Sequence, residues 1–166
     1  MPVTVKHPAL PTIDLASTEK EIVAALDSAF SEVGFCICNN AYLDPEIREA
    51  AFVASRAFHK LPESVKNSYA INSAHRGYIS PKSSTSRTSS VAKVQRPNTS
   101  ESFMLMHEVL ENDPRLGKPL QGPNQWPQEV PGFRDKMTAY WQDVNCTSHK
   151  LAKLCLKALG IEIGLY

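Results

Sequence analysis

Nowhere in the 166 residues does an apolar run approach the roughly eighteen needed for a membrane-spanning helix, so a transmembrane helix is excluded. The start, Met1-Pro2-Val3-Thr4-Val5-Lys6-His7-Pro8, has neither the basic beginning nor the apolar stretch of a secretory signal, and the expectation is a cytoplasmic protein. Charge of one sign is lacking as well. Eighteen Lys and Arg against seventeen Asp and Glu leave a formal net charge of +1, which gives no reason to expect nucleic acid or a membrane surface as partner. Glycine is scarce, with seven residues scattered singly, so no glycine loop is present to cradle a phosphate. No Gly-x-Ser-x-Gly elbow occurs, which removes a serine-hydrolase reading. His107-Glu108 would begin a zinc-protease pattern, but that pattern needs a second histidine one helical turn on, and Glu111 stands there.

Cysteine is limited to Cys36, Cys38, Cys146 and Cys155, without zinc-finger spacing. Cys36 and Cys38 lie two apart in a predicted strand and point to one face, at a separation a disulfide bridges poorly. Cys146 and Cys155 are nine apart on a predicted helix and so about half a turn out of phase. They read as free, mostly buried thiols acting as small apolar residues. A reactive or metal-binding role is the alternative.

What is present suffices for a core. The chain is 42% hydrophobic and 21% charged, which fits one ordinary domain or part of a larger one. Leu10–Leu15 reads as a short extended segment. Thr18 and Glu21 form a capping box ahead of Ile22, Leu26, Phe30 and Val33 at helical spacing, and Gly34 stops that helix. Phe35-Cys36-Ile37-Cys38 is a strand apolar on both faces, a pattern that asks for cover on both sides. Asp44-Pro45-Glu46 opens a second helix with the stripe Ile47, Ala51, Ala54, Phe58 and Leu61, and Pro62 ends it, with one further turn after. Gly77–Ser80 and Glu101–His107 are predicted strands.

Between them, residues 82–99 are crowded with serine and threonine and read as a mobile surface loop, with a lid over a pocket mouth as the second reading. The loop's charges, Lys82, Arg87, Lys93 and Arg96, have no interleaved aromatics to suit nucleic acid. A long scaffold helix is predicted over 131–160, with Phe133, Met137, Tyr140, Val144, Leu151, Leu154, Ala158 and Leu159 on its apolar side. The fold class is therefore α+β, with three main helices and a few short strands.

His75-Arg76-Gly77-Tyr78 is the strongest candidate for direct function. A cation, a phenol and a flexible glycine beside a strand suit recognition of an anionic substrate. The plainer reading makes Arg76 a surface residue and packs Tyr78 at a sheet edge. Phe103 and Met104, on their own, read as core.

Several short motifs occur in a fixed order: Leu10-Pro11-Thr12-Ile13-Asp14-Leu15, Gly34-Phe35-Cys36-Ile37-Cys38-Asn39, Gly77-Tyr78, Glu101-Ser102-Phe103, Asn124-Gln125-Trp126-Pro127, Pro131-Gly132-Phe133 and Ala158-Leu159-Gly160. In that order they resemble the N-terminal region of the isopenicillin N synthase-like iron(II)/2-oxoglutarate-dependent oxygenases, over nearly the whole chain. Many members continue the second motif as Asn-His-Gly, where this sequence has Asn39-Asn40-Ala41.

The resemblance implies the N-terminal part, residues 1–166, of a jelly-roll (double-stranded β-helix) oxygenase whose catalytic barrel is missing from the sequence. It also implies that His75, Arg76, Tyr78 and Met104 border a substrate pocket. Members bind iron through His-x-Asp or His-x-Glu plus a distant histidine, leaving open positions on the metal. None of His7, His59, His75, His107 and His149 begins such a motif. The Arg-x-Ser that grips 2-oxoglutarate in many members occurs only as Arg87-Thr88-Ser89, in the serine-rich loop rather than on a barrel strand. No catalytic residue, metal site or cofactor is therefore expected in the chain, while Fe(II) and 2-oxoglutarate are expected for the full-length parent.

Two functions follow from these readings. One is the N-terminal segment of an oxygenase acting on a small molecule, inactive alone. The other is a stand-alone, non-catalytic protein that binds a small molecule or self-associates through exposed apolar surface.

Overall fold

The computed structural model describes residues 9–41, 43–83 and 97–161. Two compact units emerge, Met1–Ala51 with Lys136–Tyr166, and Phe52–Asp135. The elements, in order, are β1 (Thr12–Asp14), α1 (Glu19–Glu32), β2 (Ile37–Asn39), α2 (Pro45–His59), α3 (Glu63–Ser68), β3 (Gly77–Ile79), β4 (Ser102–Met104) and α4 (Phe133–Ala158). The mixture of helices with short strands agrees with the expected α+β class.

In the first unit, α1 begins as its residues dictate. Thr18 Oγ1 accepts from the Glu21 amide at 3.4 Å, and Glu21 Oε2 accepts from the Thr18 amide at 3.0 Å. Two otherwise orphaned donors are thereby satisfied. At the other end the Val33 and Gly34 amides both donate to Ala29 O, and Gly34 takes φ +93°, a conformation open to glycine without a Cβ penalty. The helix returns the chain so that β1 and β2 pair in parallel, Ile13 opposite Cys38.

Ile13 and Leu15 are buried with Ile22, Leu26 and Ala29 of α1, and Cys36, Cys38, Leu151, Leu154, Cys155 and Ala158 pack against them. The turn after β2 departs from Asn-His-Gly yet closes: Asn40 adopts φ +51°, which asparagine tolerates, and its Nδ2 donates to Asp14 Oδ1 at 2.7 Å. Asp44 caps α2 by accepting from the Glu46 amide at 2.8 Å, with Pro45 in the first helical position, and Asp143 of α4 accepts from the Asp44 amide at 2.8 Å.

Several details differ from the sequence expectation, among them the four thiols, of which Cys36, Cys38 and Cys155 are half-buried and Cys146 is exposed rather than mostly buried. Phe30 is 46% exposed, because Ala29 takes the inward position on α1. Leu159 lies beyond the end of α4 and is 72% exposed. The predicted strand over 101–107 is paired only at Ser102–Met104. Among the described residues β2 has β1 as its one strand neighbour, and Ile37 on its other face is 47% exposed. The described strands form two two-stranded sheets and no closed barrel. Most of the serine-rich loop, with Arg87, Lys93 and Arg96, falls outside the described residues. No helix among the described residues is long and apolar enough to cross a membrane.

Candidate functional site

In the second unit the Phe58 ring is fully buried, with Phe103, Tyr78, Phe133 and Tyr69 around it at centroid distances of 4.7, 5.8, 6.0 and 6.4 Å. Most of these contacts are edge-to-face, the arrangement that aligns a positive ring edge with a negative face. Phe58 reaches this centre because α2 repeats its apolar stripe through Ala54 and Phe58, both buried. β3 and β4 pair antiparallel above it, Tyr78 opposite Phe103 and Gly77 opposite Met104.

A polar cluster sits at one side of the rings. Glu101 Oε2 accepts from Lys66 Nζ at 2.6 Å and from the Tyr78 hydroxyl. Glu101 Oε1 lies 3.3 Å from His59 Nδ1, in ion-pair range but outside hydrogen-bond geometry. Lys66 Nζ is also 5.2 Å from the Tyr78 ring centre, within cation–π range. The Lys66 and Tyr78 hydrogen bonds hold the Glu101 carboxyl below its ordinary range. The same contact with Glu101 raises Lys66. Burial first, and then the Glu101 bond, raises the Tyr78 phenol. At neutral pH this is an ionised carboxylate shared by an ammonium and a neutral phenol.

The 72–78 segment is held from several sides. Asn72 Oδ1 accepts from the amides of Ala74 and Arg76 at 3.0 and 3.2 Å, and His75 takes φ +65° at the turn tip. Arg76 is 1% exposed. Its Nη1 donates to Ala74 O and Leu120 O, its Nη2 donates to His107 O at 2.9 Å, and its Nε has no partner among the described residues. Gln125 Nε2 reaches Arg76 O at 2.7 Å and Ala70 O at 2.9 Å. Gly77, at φ +118°, is required here, since a Cβ would lie 2.2 Å from Gln125 Nε2 and 2.4 Å from Tyr69 O.

Asn124 acts as a backbone mimic: its side chain accepts from the Met106 amide at 3.0 Å and donates to Met106 O at 2.8 Å. Glu108 gathers the Asn124 amide at 2.8 Å and Trp126 Nε1 at 3.0 Å. Asn124-Gln125-Trp126 is thus a clamp that fastens the 69–78 and 106–108 segments, as well as a stiff lead-in to α4.

The four candidate residues fall into two pairs. Arg76 and Tyr78 are buried and turned inward, Arg76 onto carbonyl oxygens and Tyr78 onto Glu101. Arg76 is therefore not the surface residue of the plainer reading. His75 is exposed and Met104 half-buried. Sequence reasoning missed Glu101, Lys66 and His59, which the fold brings to Tyr78. The one available signal was that Glu101 is the first acid after a long acid-free stretch.

The non-haem dioxygenase N-terminal region described from morphine synthesis matches residues 10–129. The chain belongs to this family. It is 28% identical over 147 residues to the 2-oxoglutarate-dependent dioxygenase eupC of Phoma sp., covering 80% of this chain and 45% of that protein. A 2OG-Fe(II) oxygenase family protein from Caulobacter crescentus superposes with a TM-score of 0.79 at 20% identity, over 94% of this chain and 50% of that one. Neurospora crassa T7H, solved with alpha-KG and thymine, gives 0.71 at 22% identity over 92% and 49%. At those identities the structures speak for the fold. The chain spans about half the length of the curated relatives it matches. Among the described residues of this dioxygenase-family chain, no group of three or more His, Cys, Asp or Glu could hold a metal ion. Those residues do not fit an iron centre, and no chemical step is derived through one.

Proposed function

We propose that the chain is the N-terminal segment of a non-haem Fe(II)/2-oxoglutarate-dependent oxygenase acting on a small molecule. It supplies scaffold and one wall of the substrate pocket, and it does not catalyse alone. The supporting observation is the family match over residues 10–129 in a chain that spans about half of its relatives. In this reading the iron and 2-oxoglutarate are held by residues outside those described. His75 and Met104 present surface to the small molecule. Arg76 and Tyr78 act one step back, fixing the 72–78 turn and the β3–β4 pair so that His75 and Met104 keep their positions.

Two measurements test this. Coding sequence that continues in frame with a His-x-Asp or His-x-Glu and a later histidine is the expected result; a stop codon directly after Tyr166 would overturn it. The isolated chain, given Fe(II), oxygen and 2-oxoglutarate, is expected to form no succinate above the metal-only control. Iron-dependent succinate would show that it catalyses alone.

The stand-alone, self-associating protein is the second reading. The observation that favours it is exposed apolar surface on the first unit, at Phe30, Phe35 and Ile37. Concentration-dependent dimerisation of the full-length gene product through that face would support it.

A further inference from the structure

Three of the four cysteines converge in the first unit, two from the strand β2 region and one from α4. Cys36 Sγ and Cys38 Sγ are 4.0 Å apart. Cys155 packs with them on the cluster formed by Ile13, Leu15, Ile22, Leu26 and Ala29. All three are half-buried free thiols, whereas Cys146 is exposed. A small oxidant can therefore reach the three, while Cys36 and Cys38 lie side by side and Cys155 packs on the same apolar cluster.

We propose that Cys36, Cys38 and Cys155 form an oxidation site that closes one intramolecular disulfide in response to hydrogen peroxide and leaves Cys146 reduced. The chemistry balances as two thiols and one peroxide giving one disulfide and two waters. A thiolate attacks a peroxide oxygen, the O–O bond breaks, and a sulfenic acid and one water result. A neighbouring thiol then attacks the sulfenic sulfur, its proton leaves with the departing hydroxide as the second water, and the S–S bond forms.

Cys36 stands just before β2 and outside its ladder, so its side chain can swing toward a partner without unpairing the strands. A direct link between residues two apart on extended chain is strained, and strained disulfides exchange readily. Cys155 supplies a thiolate that can attack such a disulfide, releasing the other cysteine as its thiolate, and the resulting link would join α4 to the strand pair within the same unit. Burial first, and then the nearby thiols, raises Cys38, and burial and Cys36 raise Cys155. Since the thiolate is the nucleophile, the site reacts slowly at neutral pH and faster as pH rises.

The test is oxidation of the 166-residue chain with hydrogen peroxide, followed by thiol titration, intact mass and peptide mapping. The expected result is loss of two titratable thiols, a linked peptide pair drawn only from Cys36, Cys38 and Cys155, and full recovery with dithiothreitol. Cys146→Ser is expected to behave the same. The double variant Cys36→Ser with Cys38→Ser keeps only Cys146 and Cys155, about half a helical turn out of phase on α4, and it is expected to form no intramolecular link. A link through Cys146 in the parent or in the double variant, irreversible oxygen adducts without a disulfide, or an unchanged thiol count would each overturn the proposal. Circular dichroism of each serine variant keeps a folding defect distinguishable from loss of the chemistry.

Discussion

The two units are stabilised in different ways. The first rests on apolar burial: Ile13, Leu15, Ile22, Leu26 and Ala29 form its centre, and its polar contacts are mainly helix caps near the surface. The second has a ring cluster at its centre, but the loops that carry the candidate residues are fastened by polar side chains, namely Arg76, Asn124, Gln125, Glu101 and Glu108. Burial is non-directional, so it sets which face of a helix turns inward without fixing a loop in detail. Hydrogen bonds to buried carbonyls are directional and costly to leave unmade, so they can hold an irregular segment in one conformation. The wall proposed for a small molecule would rest on the second kind of restraint.

Phe58 is the position where the contrast between the units has its largest expected effect. Phe58→Ala is expected to cost about 3–5 kcal/mol in urea unfolding, because a fully buried ring leaves a cavity among four other rings. A cost below about 1 kcal/mol would show that the ring cluster is not the centre of the second unit.

Arg76→Met comes next, at about 2–3 kcal/mol, since it keeps most of the volume and strands the carbonyls of Ala74, Leu120 and His107. If buried carbonyl bonding is what holds the turn, protection of the 72–78 amides in hydrogen exchange falls more than that of α1. Equal loss in both would contradict the contrast between the units.

Glu101→Gln acts through pH, with an expected cost of about 1–2 kcal/mol near neutrality. The sign follows from the shifts. Glu101 is lowered in the fold, so its contribution is present above the ordinary glutamate value of about 4.3 and is lost as pH falls through the folded value. Lys66 and Tyr78 are raised, so theirs is present below their ordinary values and is lost as pH rises through the folded ones. The stability gap between parent and variant should therefore be widest at mid-range pH and narrow at both extremes. A gap independent of pH would contradict the charged cluster. The smallest effect belongs to the first unit: Thr18→Ala removes the cap of α1 for about 1 kcal/mol and leaves the second unit's exchange pattern unchanged.

Legibility in the sequence divides along the same line. The Thr18–Glu21 box, Gly34, and the Asp44-Pro45 start are local signals, written within one helical turn, and each stands where the spacing puts it. The reach of Arg76 to Leu120 spans 44 residues and that of Gln125 to Tyr69 spans 56, and such bonds leave no periodic trace. Phe30 fits the helical stripe of α1 as well as any residue, yet Ala29 is the buried one, because spacing marks a face and packing chooses within it. The Glu101 cluster was out of reach for the same reason. Its members come from α2, α3, β3 and the residue before β4, and only the fold assembles them.

In the proposed function the chain contributes structure and a pocket wall, and the iron chemistry resides elsewhere in the parent enzyme. The most direct test is elemental analysis of the purified chain after anaerobic loading with Fe(II) and removal of free metal. Iron at the background of a control protein, unchanged by histidine substitution, is the expected result. Stoichiometric iron that is lost on replacing a single histidine would contradict it.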